Sequence, residues 1–166
     1  MTNIYQLVLS VDQSFQDKID IIYARLATVA GRERADGRIA PVRSSKKRIV
    51  HAGVIALDYL SKNEIVFLSK KVRILNKADA PRVLAKHTAV EIHKRFARMA
   101  NAKASNLALY FNFDHSPRDL MHYGIVSLAE QTDDAFEFLV HASINIEEGQ
   151  PLRQGAFYDS PQTSLP

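Results

Sequence analysis

The chain is 166 residues long, 46% hydrophobic and free of cysteine, so it can bury one core unaided, and disulfides, thiolate metal sites and thiol nucleophiles are excluded. Its formal charge is +4, unevenly spread: residues 31–103 hold 18 cations against six acids, and residues 104–166 hold two against nine. Met1–Val11 has no basic n-region, and Gln6 and Ser10 interrupt its short apolar run, so it does not read as a signal peptide; with no bilayer-length apolar run, a cytoplasmic protein that does not enter a membrane is expected.

Residues 3–11 predict a strand, with Tyr5, Leu7, Leu9 and Val11 on one face. Asp12 or Ser14 can then cap a helix in which Phe15, Ile19, Ile22, Leu26 and Val29 recur at helical spacing until Gly31. From Gly31 to Arg43 the periodicity vanishes. Gly37, Pro41 and four arginines give this stretch loop composition. It is not a P-loop: five residues separate Gly31 from Gly37 where that motif has four, and Arg38-Ile39 follows where Lys and Ser or Thr belong.

Ser44-Ser45-Lys46-Lys47-Arg48 offers two helix N-caps followed by three cations in a first turn. Cations there oppose the helix dipole, and a bound anion would relieve the conflict. The helix is expected over 45–61, with Ile49, Val50, Gly53, Val54, Leu57 and Leu60 facing inward and Lys47, His51 and Asp58 facing away. Residues 64–75 are read as a further helix rather than a hairpin. The longest helix is expected from Asp79 to Ala102. It should bury Leu84, Ala85, Thr88, Ala89, Ile92, Phe96 and Met99 and turn His87, Glu91, Lys94, Arg95 and Arg98 outward, Glu91 pairing with His87 and Arg95.

After Lys103 the period changes to two. Leu107, Leu109, Phe111 and Phe113 alternate, as do Phe136, Phe138, Val140, Ala142, Ile144 and Ile146, which predicts a β-meander over 106–147. Residues 120–129 fit either type, because Ser116-Pro117-Arg118-Asp119 also resembles a helix start. The expected fold is therefore α+β: an N-terminal strand, three to four helices and a C-terminal antiparallel meander. A single domain spans 1–148, with a basic helical part (31–103) and an acidic sheet part (104–148), before an irregular tail over 149–166.

No catalytic residue, metal ligand or cofactor is assigned. His87 and His93 are six residues apart, which points them to different sides of a helix. Ser44-x-x-Lys47 matches a serine-lysine hydrolase pattern but lacks its Lys-Thr-Gly companion, and Asp114-His115-Ser116 reads as a turn. The basic residues carry the functional expectation instead. Arg32, Arg34, Arg38, Arg43, Ser44, Ser45, Lys46, Lys47 and Arg48, with Lys70, Lys71 and Arg73 and with Lys94, Arg95 and Arg98, suggest a basic patch for nucleic acid. Only Tyr59, Phe67 and Phe96 lie among them as aromatics, which favours phosphate-backbone contacts, to RNA or DNA, over base stacking. The expected function is a non-catalytic nucleic-acid-binding subunit whose acidic C-terminal part docks a protein partner. Two alternatives are a nuclease using His51, His87 or His93 with nearby cations, and an adaptor whose basic face meets an acidic protein.

Overall fold

The first strand-helix pair forms where the periodicity puts it, as β1 (Ile4–Val11) and α1 (Gln13–Ala35). The computed structural model describes residues 4–11, 13–39, 41–74, 86–111 and 116–149. On α1, Ile19, Ile22, Leu26 and Val29 are buried at helical spacing. The helix passes through Gly31 and runs one turn further, because Arg32–Ala35 are good helix formers; the stop comes at Gly37, whose φ of +83° suits glycine.

The second helix, α2 (Lys46–Leu57), begins with Ser45 as N-cap, its Oγ accepting the Arg48 N–H at 3.1 Å. All nine residues from Ile49 to Leu57 are buried, so His51 is inside rather than on an outer face. The helix expected over 64–75 is α3 (Lys62–Ile74). It starts with a capping box, in which Ser61 Oγ accepts the Glu64 N–H and Glu64 Oε1 accepts the Ser61 N–H.

The long helix expected from Asp79 is corrected. Residues 75–85 lie outside the described residues, residues 86–93 form β2 (Lys86–His93), and only then does α4 (Lys94–Phe111) begin. The two strands pair antiparallel, with Ile4 opposite His93 and Val11 opposite Lys86. A lone β1 would leave its backbone donors and acceptors unmet, and Thr88-Ala89-Val90-Glu91-Ile92 alternates well enough to supply the ladder. The expected helical pairing of Glu91 with His87 and Arg95 therefore has no helix to stand on. Downstream the helical reading holds, with Phe96 and Ala100 buried.

The β-meander is corrected too. Residues 106–111 finish α4, and the rest of that stretch forms α5 (Pro117–Glu130) and α6 (Asp133–Glu147). The buried residues of α6 are Ala135, Phe136, Leu139, Val140, Ala142 and Ser143, an i, i+3, i+4, i+7 pattern that the alternation of neighbouring apolar residues concealed. Leu107 and Leu109, expected on one strand face, are 2% and 83% exposed. Two start signals outweigh the alternation: Ser116 Oγ caps α5 through the Asp119 N–H with Pro117 following, and Thr132 Oγ1 caps α6 through the Ala135 N–H ahead of Asp133 and Asp134. The fold is thus mostly helical with a two-stranded ribbon, not α+β, and no described helix is long and apolar enough to cross a membrane. Apart from Gly149, the tail expected over 149–166 lies outside the described residues.

At the centre α2 crosses α5, buried continuously from Leu120 to Leu128. A Cβ on Gly124 would stand 2.2 Å from the Gly53 carbonyl oxygen, so the backbones meet only because neither residue has a side chain. Leu26, Phe96, Phe136 and Leu139 close around this crossing, each worth roughly 1.5–3 kcal/mol of burial.

Candidate anion-binding site

The crossing brings the end of α6 to the start of α2, and the anion that the first turn of α2 requires proves to be one of the chain's own. Lys47 Nζ lies 2.8 Å from Glu147 Oε1, and Arg48 Nη1 lies 2.9 Å from Glu147 Oε2. Arg48 also donates to Ser143 Oγ at 3.1 Å, while that hydroxyl donates to the Val140 carbonyl. Burial pushes the Glu147 carboxyl up, but the Lys47 hydrogen bond and the Arg48 charge outweigh it and hold the group at about 2.

His51 completes this cluster. Its Nε2 accepts the His93 backbone N–H at 3.1 Å, so the ring proton sits on Nδ1 and is directed at Glu147 Oε2, 3.4 Å away. The ring stacks on Phe96 at 3.9 Å and is fully buried. Burial lowers its pKa to about 3 against the pull of Glu147, with Arg48 reinforcing the drop, so the imidazole is neutral at physiological pH. His93 Nδ1 accepts the Arg95 N–H at the start of α4. Both histidines that the nuclease alternative would use here are committed to holding backbone, and the side chain of His87 lies outside the described residues.

Other cations are matched in the same way. Lys18, Arg25 and Arg32 recur every seven residues along one stripe of α1 and meet Glu130, Asp133 and Glu137 at 3.2, 3.0 and 2.9 Å. Arg25 also donates to the Ala129 carbonyl at the end of α5 and lies over the Phe136 ring. Arg38 meets the buried Glu33, whose other oxygen accepts the Val42 N–H. Acids from the C-terminal part, expected to face a protein partner, are thus engaged by the chain's own basic residues.

Several cations have no such partner: no described carboxylate pairs with Lys70 on α3, with Lys94, Arg95 or Arg98 on α4, or with three cations around the turn into α2. Arg34, Arg43, Ser44 and Lys46 are exposed, and no described carboxylate forms an ion pair with Arg34, Arg43 or Lys46. Arg34, Arg43 and Ser44 border an open cavity of about 600 Å³ whose remaining lining is apolar: Ala27, Ala30, Ile39, Pro41 and Val42. Its wall is braced by Glu33, which ties Arg38 and Val42 to α1. Elsewhere, Lys70 is exposed on α3, the side chains of Lys71 and Arg73 lie outside the described residues, and Lys94, Arg95 and Arg98 occupy the first turns of α4.

The basic residues expected to form one patch therefore divide. Arg32, Arg38, Lys47 and Arg48 are ion-paired within the chain and Ser45 is a cap, whereas Arg34, Arg43, Lys46, Lys70, Lys94, Arg95 and Arg98 pair with no described carboxylate. The sequence reading missed Glu147, Ser143, Glu33 and the partnership of Phe96 with His51. The one available signal was Glu147 itself, an acid closing an apolar run. No protein-family model, curated protein or solved structure matches the chain.

Proposed function

We propose that the chain is a non-catalytic binding domain that receives an anionic partner in the opening between α1 and α2, with Arg34, Arg43 and Lys46 as the cations that meet it. The observation that carries this reading is the selectivity of the pairing: the neighbours Lys47 and Arg48 are neutralised by Glu147, while Arg34, Arg43 and Lys46 have no described carboxylate and two of them border a cavity. Like charges gathered near the positive end of a helix repel one another, and an incoming carboxylate or phosphate removes that cost.

Calorimetric titration of the full chain with poly-aspartate and with inorganic polyphosphate at low salt tests the reading. Wild type should bind, and Arg34→Gln/Arg43→Gln/Lys46→Gln should lose about tenfold or more in affinity while folding normally, at about 1 kcal/mol or less for each exposed charge pair. A wild type that binds neither probe, or a triple variant that binds both unchanged, would remove the opening as the site.

A further inference from the structure

We infer that the occupant of the α1–α2 opening is an acidic peptide segment of a partner protein, with an apolar side chain set among its carboxylates. The inference rests on the anionic reading above for its location, and goes beyond it in naming the partner's chemistry. The opening has two surfaces: Arg34 and Arg43 at its border, and Ala27, Ala30, Ile39, Pro41 and Val42 along the rest. Charge complementarity selects an anion, and the apolar lining selects what must be attached to it.

Ile39 is the sharper of the two observations. It is 100% exposed, so it contributes nothing to this chain's own core. Arg38 on one side of it and Val42 on the other are both bound to the buried Glu33 carboxylate. A large aliphatic group that the chain's own core leaves uncovered can cover an apolar side chain of a partner. A polyphosphate has no group to place on Ile39 and Pro41. A nucleobase could stack only on the Arg34 and Arg43 guanidinium planes, since no aromatic residue is among the described residues that line the opening, and would leave Ile39 and Pro41 uncovered. A peptide carrying Leu or Ile between Asp or Glu residues satisfies both surfaces, and about 600 Å³ is room for a few side chains.

Fluorescence anisotropy with three labelled hexapeptides tests the inference: one alternating Asp and Leu, one with every Leu replaced by Ser, and one with every Asp replaced by Asn. The Asp-Leu peptide should bind the full wild-type chain about tenfold tighter than the Asp-Ser peptide, the increment expected from covering one aliphatic side chain. Ile39→Ser should erase that ratio while leaving Asp-Ser binding and the thermal unfolding curve unchanged. Arg34→Gln/Arg43→Gln should weaken both acidic peptides. Equal affinity for the Asp-Leu and Asp-Ser peptides would overturn the apolar requirement and leave the general anionic reading standing. Tightest binding by the Asn-Leu peptide would overturn both. So would concentration-dependent self-association lost in Ile39→Ser, which would put a second copy of the chain in the opening.

Discussion

Lys46 and Lys47 are neighbours in sequence with opposite fates. Lys47 turns to Glu147 across the α2–α6 contact, where Arg48 and His51 join it, whereas Lys46 remains exposed and pairs with no described carboxylate. On one side of the helix start the dipole conflict is settled by a carboxylate delivered by the fold; on the other it is left open. A run of basic residues therefore says little about free positive charge until the acids that fold against it are known.

The strongest way to break this contrast is to remove Glu147. Glu147→Gln should destabilise the protein by about 2 kcal/mol in urea unfolding, because Arg48, only 14% exposed, and Lys47 lose their counter-charge together. A loss indistinguishable from zero would mean that the cluster is a solvated surface pair.

The same contrast sharpens with pH. His51 stays neutral in the fold down to about 3 but protonates near 6.5 when unfolded, so the unfolded chain binds the extra proton between those values and stability falls as pH drops through that window. Glu147, held at about 2, adds a second loss from about 4.5 downward. Stability measured from pH 7.5 to 3 should decline accordingly in wild type and equally in Arg34→Gln/Arg43→Gln. His51→Gln should make the part above pH 4.5 shallower without abolishing it, because burial also pushes the His122 imidazole down. An unchanged profile in His51→Gln would place the titration elsewhere.

The smallest effect belongs to the adjacent lysines. Lys47→Gln should cost about 0.5 kcal/mol, since its ammonium is 44% exposed and partly screened, and Lys46→Gln should cost nothing measurable. Thermal melts of the two variants at low and high salt should differ only at low salt. Identical melts at low salt would erase the distinction between the two sides.

The strand-helix opening, the Ser45 cap and α3 were legible because local spacing and capping chemistry decide them. The C-terminal half was not. In α6 the residues Phe136, Phe138, Val140 and Ala142 alternate, but Leu139 between them is fully buried, and a helix apolar around much of its girth satisfies both periods. The Thr132-Asp133-Asp134 cap was the better guide. Residues 86–93 failed for the opposite reason: their strand exists because β1, some 80 residues earlier, needs a partner. The Glu147 cluster was out of reach, since it joins residues 96 to 100 positions apart through a crossing that two glycines permit.

The most direct test of the account is a charge-matched comparison. Arg34→Gln/Arg43→Gln and Lys18→Gln/Arg32→Gln each remove two cations, so net charge is the same in both, but only the second pair is internally matched, to Glu130 and Glu137. Poly-aspartate binding should be measured for both variants across a salt series. The first variant should lose about tenfold or more in affinity and its salt dependence should flatten, whereas the second, each mutation having also released an acid, should keep the wild-type slope. Equal losses in the two variants would show that the protein attracts anions by overall charge alone, and would contradict the division between matched and open cations.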